Sequence, residues 1–367
     1  MLQSEPEMAV NIAVASSVLL KEESSSSERL GPAFPFVKAL KAVNAKLKEN
    51  YPESEELFKV MLLDEKPSDS LKNAIRTHDL EELITVLNVR EDLVGELKRI
   101  NTALYLSDSE ALAKKVLNQG IAAAFMPTPK EIKEVSEDQL RVAFDGDSVL
   151  FSNESERVFQ DSGLTGYLQH ERNNVEKLLD PGPLCSFLEV LEKLKKKLHD
   201  KGLLKNCPIR TYLVTARRAG CDGYRALNSL HSWDLEVDEA FFLGLSPKGP
   251  ILDNIRPHLF FDDQPRHIQA ALEMLQSEPE MAVNIAVASS VLLTEESSSS
   301  ERLGPAFPFV KALKAVNAKL KENYPESEEL FKVMLLDEKP SDSLKNAIRT
   351  HGPPPSPDQT HRQTVFQ

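Results

Sequence analysis

Residues 1–78 recur as residues 274–351 with one change, Lys21 becoming Thr294. Whatever the first stretch folds into, the second can in principle fold into as well, either by taking its place in that fold or by adding its apolar run 281–293 as a strand. Repeat architectures keep an apolar pattern and let the surface drift, whereas here the surface is copied too. The copy therefore reads as a very recent duplication or a misassembled coding sequence, not as a solenoid. The remaining residues, 352–367, open Gly-Pro-Pro-Pro and are expected to form a disordered tail.

An older, diverged repeat lies within residues 1–274. "NIAVASSVLL" from Asn11 parallels "RVAFDGDSVLF" from Arg141, and "GPAFPFVKALKAVNAKL" from Gly31 parallels "PGPLCSFLEVLEKLKKKL" from Pro181. Further on, "ELFKVMLLD" from Glu56 answers "PIRTYLVTA" from Pro208, and "TALYLSD" from Thr102 answers "PHLFFDD" from Pro257. Each half reads strand, helix, strand, helix, strand, with short β-branched and aromatic runs alternating with amphipathic helical stretches. That alternation predicts parallel α/β units. The expectation is two Rossmann-like lobes, 1–136 and 137–274, followed by the copied segment 275–351.

Composition narrows the class further. With 41% hydrophobic and 28% charged residues, the chain has the make-up of a globular protein with room for two domains. The apolar run 8–20 is preceded by Glu5 and Glu7 and by no basic residue, which argues against a secretory signal. It is also shorter than the roughly 20 residues that span a bilayer. A cytoplasmic protein with no membrane partner is expected. Cys185, Cys207 and Cys221 show no CxxC spacing and no paired histidines accompany them, so they read as ordinary thiols. A net charge of −13 argues against nucleic-acid binding but leaves an anionic substrate open. Remote surface charge is screened beyond about 8 Å, whereas a cation in a site is not.

The second half places reactive residues at successive strand ends. The apolar run 141–144 ends in Asp145-Gly146-Asp147, and ligands in open α/β sheets bind beyond the carboxyl ends of strands. Residues two apart in extended chain point the same way, so both carboxylates can face one group, and Gly146 lets the backbone pass close to it. "TYLVTAR" from Thr211 ends a strand at Thr215, whose hydroxyl can bind phosphate oxygens at a helix start. Lys248, within Ser-Pro-Lys-Gly, offers a point charge, and "HLFFDDQ" from His258 ends in Asp262 and Asp263, hard oxygen donors suited to Mg²⁺. Taken singly, these are a turn, a helix cap, a solvated lysine and another turn. In this order they supply what phosphate-ester hydrolysis needs: a nucleophile, a proton donor and cations.

Together Asp145-x-Asp147, Thr215, Lys248 and Asp262-Asp263 resemble the four motifs of the haloacid dehalogenase superfamily. Longer strings, among them "LRVAFDGDSVLFSNESE" from Leu140 and "CPIRTYLVTAR" from Cys207, resemble the cytosolic 5'-nucleotidases of type I across about residues 10–273. That resemblance implies two haloacid dehalogenase-type lobes, the second catalytic and carrying a small helical cap at about 151–180. It implies Mg²⁺-dependent hydrolysis of nucleoside 5'-monophosphates, AMP foremost, with ADP as activator. Asp145 would attack phosphorus, and Asp147 would protonate the leaving oxygen and then activate water. Thr215 and Lys248 would hold the phosphate, and Asp145, Asp147, Asp262 and Asp263 the metal. Arg217 and Arg218 are candidates for contacts to phosphate or ribose, with surface salt bridges as the competing reading. Tyr167, His170, Glu171 and Arg172 lie in the cap segment.

The first half departs from this pattern: Ala15 and Ser17 stand opposite Asp145 and Asp147, Leu93 stands opposite Lys248, and only Asp108 remains, opposite Asp263. It is expected to have no hydrolytic site. Two alternatives stay open, a phosphatase for another small phosphate ester and a non-catalytic nucleotide-binding protein. Association of the chain with itself is a further expectation, carried by the duplicated segment.

Overall fold

The computed structural model describes residues 9–22, 28–54, 57–89, 92–129 and 135–276, and in the copied segment 283–288, 293–294, 302–303, 306–323, 331–336 and 365–366. Contacts divide the chain into two units, Met1–Gln276 and Ser277–Gln367. No described helix is long and apolar enough to cross a membrane.

The first unit is α/β with two parallel sheets. Its first half runs β1 (Val10–Ala15), α1 (Ser16–Leu19), β2 (Leu20–Glu22), β3 (Glu28–Leu30), α2 (Phe34–Asn50), β4 (Phe58–Leu63), α3 (Asp69–Thr77), β5 (Ile84–Leu87), α4 (Leu93–Arg99), β6 (Thr102–Ser107), α5 (Glu110–Leu117) and β7 (Ala123–Phe125). Its second half runs β8 (Leu140–Phe144), α6 (Glu154–Asn173), α7 (Cys185–Asp200), β9 (Ile209–Thr215), α8 (Cys221–Ser232), β10 (Glu239–Phe242), α9 (Gly249–Ile255), β11 (Leu259–Phe261) and α10 (Pro265–Gln276). The sheets are ordered β5-β4-β1-β6-β7 and β10-β9-β8-β11, so the older repeat is a repeat of topology, with β7 added to the first sheet.

The central strands are buried on both faces, as parallel strands flanked by helices must be: in β9 every residue except Arg210 is buried. In α7 the residues Phe187, Leu188, Leu191, Leu194 and Leu198 recur at helical spacing and are all fully buried. The repeat extends to packing, since α2 lies against β8 and its counterpart α7 against β6. One apolar core runs through both halves, from Val37 and Leu40 to Phe187 and Leu188.

The turn after each central strand shows the same bonds twice. Gly31 N–H donates to Leu19 O at 2.8 Å and Gly182 N–H to Leu150 O at 2.7 Å, while Ala33 N–H donates to Val18 O at 2.9 Å and Leu184 N–H to Val149 O at 3.0 Å. Both glycines are there because the backbone passes too close for a side chain. A Cβ would stand 2.2 Å from Val18 O at position 31 and 2.4 Å from Val149 O at position 182. Gly182→Ala is therefore expected to cost about 1–3 kcal/mol or more, because backbone and not a flexible side chain must give way. Urea unfolding followed through Trp233, the chain's one tryptophan, measures it.

In the second unit the copied sequence takes the copied local structure. β12 (Val283–Ala288) pairs in parallel with β15 (Phe331–Leu336) in the register of β1 and β4, and β13 (Leu293–Thr294) pairs with β14 (Arg302–Leu303) as β2 does with β3. β16 (Val365–Phe366) pairs antiparallel with β15; the rest of the expected tail lies outside the described residues. No described strand covers the edge of β12 that corresponds to the β6 edge of β1. On α11 (Phe307–Asn323), Phe309 is 52% and Val316 44% exposed, whereas their counterparts Phe36 and Val43 are 0% exposed. An identical sequence thus leaves apolar side chains in water where the partner strands are missing. Deleting 294–367 is expected to preserve turnover and lower self-association, measured by light scattering alongside an activity assay.

Candidate active site

Strands β8, β9 and β11 bring their carboxyl ends together and deliver four of the expected residues to one place. Asp145 follows β8, and its N–H donates to Phe261 O of β11 at 2.8 Å, which ties the two strand ends. Lys248, immediately before α9, is 3% exposed, and its Nζ stands 2.8 Å from Asp145 Oδ1 and 2.6 Å from Asp262 Oδ2. Thr215 is buried at the end of β9, and a Cβ on Gly146 would lie 3.0 Å from its Oγ1. The glycine between the aspartates is thus what lets the Thr215 hydroxyl approach the turn.

Burial dominates the electrostatics. It pushes the Asp145 carboxyl up to about 7, the Asp262 charge adds to this, and Lys248 only partly offsets it. Asp263 is also raised, by burial and then by Asp262. Two close carboxyls share one ammonium, so the site carries a deficit of positive charge when both are ionised. One ligand atom each from Asp145, Asp262 and His267 lie within 4.8 Å of one another. Two carboxylates fit Mg²⁺, which takes hard oxygen ligands and keeps several waters. His267 serves Asp262 instead: its Nδ1 lies 3.1 and 3.0 Å from the two carboxylate oxygens, and Gln264 N–H donates to Asp262 Oδ1 at 2.8 Å. Such outer partners fix the orientation of a metal-ligating carboxylate. Asp263, bonded to Gln264 Nε2 at 3.1 Å, stands outside this cluster.

Asp147 belongs to a different neighbourhood. Arg217 grips it with one edge of the guanidinium, Nε to Oδ2 at 3.0 Å and Nη2 to Oδ1 at 2.7 Å. The other donors go to Glu171 Oε2 at 2.8 Å, Asp222 O at 2.9 Å and Ser155 Oγ at 2.9 Å. Burial alone would weaken the hold of Arg217 on its proton, but the charges of Asp147 and Glu171 outweigh it and drive the pKa up. Glu171 is shared with Arg225 at 3.1 Å, and Arg225 reaches Glu154 at 3.0 Å. Arg217 is therefore neither a surface salt bridge nor a free donor for substrate. Arg218 is half exposed, with Nε 3.5 Å from Asp222 Oδ2.

The segment expected to form a cap divides in the same way. α6 breaks at Gly163, where φ is 62°, and Leu164 beyond the break is 43% exposed. Tyr167 and Glu171 point inward, Tyr167 donating to Asp222 Oδ2 at 3.3 Å, and His170 binds Glu154 at 2.8 Å, while Arg172 is exposed. His267, Glu154, Ser155 and Arg225 are site residues that the sequence pattern does not single out. The one available signal is the position of His267 in the first helical turn after Asp262.

The first unit thus gathers two acids, a lysine and a threonine at one edge of a parallel sheet. The 5'-nucleotidase family pattern matches residues 17–290, and the chain belongs to that family. It is similar to cytosolic 5'-nucleotidase 1B of Homo sapiens, with 43% identity over 244 residues, which is 66% of this chain and 40% of the relative. The chain thus spans well under half the length of that protein. No solved structure matches it.

Proposed function

We propose that this chain hydrolyses nucleoside 5'-monophosphates, AMP foremost, to nucleoside and phosphate, with the phosphoryl group carried transiently on Asp145. The observation that carries this reading is the buried Lys248 ammonium between Asp145 and Asp262, 2.8 and 2.6 Å away. An ammonium fixed beside the nucleophile is a point charge for phosphoryl oxygens in a site where little water screens it.

Asp145 Oδ1 accepts from Gly146 N–H at 2.7 Å and lies on Lys248, which leaves Oδ2 to attack. The new bond joins Oδ2 to phosphorus as the ester bond breaks, and Asp147 gives its proton to the leaving oxygen. Asp147 then takes a proton from the water that attacks phosphorus, releasing phosphate and restoring the Asp145 carboxylate. Arg217 holds Asp147 in one rotamer throughout, and the Thr215 hydroxyl with Lys248 binds the phosphate oxygens. Asp145 and Asp262 would hold Mg²⁺, which would neutralise phosphoryl charge when bound, whereas Asp147, on Arg217, and Asp263, on Gln264, stand outside that pair.

In the same reading, residues 137–274 are the catalytic haloacid dehalogenase-type lobe, 151–180 its cap, and 1–136 a lobe without chemistry of its own. The cytoplasm, activation by ADP and self-association also belong to it. A panel of AMP, IMP, CMP and glucose 6-phosphate, with Mg²⁺ or with chelator, tests the proposal. Nucleoside monophosphates should be preferred by at least about tenfold in kcat/KM, roughly 1.4 kcal/mol of transition-state binding. Chelator should abolish release and Mg²⁺ restore it, while Asp262→Ala should blunt the Mg²⁺ response. Preference for the sugar phosphate would move the substrate class, and no release from any ester would leave a binding protein.

A further inference from the structure

We propose that the cleft at the carboxyl ends of β1 and β4 is a second ligand site, which binds a small phosphate-bearing molecule without hydrolysing it. The register of the two sheets defines its place. Val14 pairs with Leu62 as Phe144 pairs with Leu213, so Ala15 and Ser17 stand where Asp145 and Asp147 stand, and Asp64 and Lys66 stand where Thr215 and Arg217 stand. A cavity of about 460 Å³ opens there, lined by Ser16, Ser17, Lys21, Asp64, Lys66 and Ser68 among others. That volume is in the range of small-molecule sites, roughly 300–1,000 Å³.

The substitutions that remove chemistry from this position also change its charge. With Ala15 in place of a nucleophile and Ser17 in place of an acid, the cleft keeps one carboxylate, Asp64, against two ammonium groups, Lys21 and Lys66. Asp64 is partly committed to its own loop, accepting from Lys66 N–H at 2.7 Å. Among the described residues neither lysine is ion-paired. The catalytic site has an excess of acid that suits a metal; this cleft has an excess of base and three hydroxyls, which suit an anion directly. Its lining carries two ammonium groups and one carboxylate in a chain of net charge −13. Lys21 is also the one residue of 1–78 that the copy does not preserve, so Thr294 withholds that charge from the second unit.

The test does not depend on turnover. Full-length protein is treated with an acetylating reagent, with and without inorganic tripolyphosphate, and with sodium chloride at matched ionic strength. Lys21 is followed by mass spectrometry; its peptide differs from the copy at Thr294, and exposed Lys115 is the reference. Lys21 modification should slow about tenfold at a probe concentration ten times its dissociation constant, as occupancy of one site dictates. Lys115 should not change, and sodium chloride should not reproduce the effect. The exposed variant Lys66→Glu should abolish the protection without unfolding the chain. Equal Lys21 rates with and without tripolyphosphate, or protection that survives Lys66→Glu, would overturn the proposal.

Discussion

Asp145→Asn should lose turnover by a factor on the order of 10⁴ or more while keeping its fold, because an amide cannot attack phosphorus. It should also be at least as stable as the parent in the absence of metal. The Asp145 carboxyl is pushed from 3.8 up to about 7, mainly by burial. Between those values the folded chain holds a proton that the unfolded chain has released, so stability falls as the pH rises through the window, and the loss is complete above about 7. Asparagine does not titrate and is spared that fall. At pH 8 with chelator, the variant should therefore melt no lower than the parent. The combination of lost activity and retained stability is the mark of a residue placed for chemistry at some cost to the fold. A variant that melts well below the parent would show that Asp145 is structural.

Arg217→Ala should give the opposite pattern, a large loss of stability. Arg217 is 2% exposed, and from the turn after β9 its guanidinium joins Asp147 beyond β8, Ser155 and Glu171 of α6 and Asp222 of α8. Removing one partner of a buried ion network leaves uncompensated charge and costs about 3–5 kcal/mol. Arg217→Lys should fall in between, since an ammonium cannot reproduce a bidentate fork. Both should also lower kcat by at least about tenfold with little change in KM, because a displaced general acid misses its proton transfer. Urea unfolding followed through Trp233 gives the first quantity. A cost below about 1 kcal/mol would mean that the network is solvated and contributes little.

Much of this arrangement was legible in the sequence. That the two sheets share one topology follows from one diverged repeat, and strands that are apolar on both faces announce parallel pairing. Asp145, Thr215 and Asp262 could be picked out because each sits where a strand stops, and parallel strands collect their ends at one edge; Lys248 lies in the loop before α9 and was picked out by its order among them. What was not legible depends on side chains far apart in the chain. Two adjacent arginines come soon after Thr215, and nothing local says that Arg217 turns inward while Arg218 stays half in water. Glu171 and Arg225 are separated by 54 positions, and only the packing of α6 on α8 joins them. Nor does position alone say that Tyr167 and Glu171, in the segment expected to form a cap, are buried, Glu171 on Arg217 itself. His267 looked like any histidine in a helix until the turn after β11 brought it onto Asp262.

The central claim is that the phosphoryl group passes through Asp145, and trapping it there tests this most directly. Protein mixed with phosphorus-labelled AMP and Mg²⁺ and quenched in acid within a turnover should carry label on the tryptic peptide 142–157, which contains Asp145 and Asp147. The Asp145→Asn protein should carry none. Full turnover with no labelled peptide, or turnover persisting in Asp145→Asn, would contradict it.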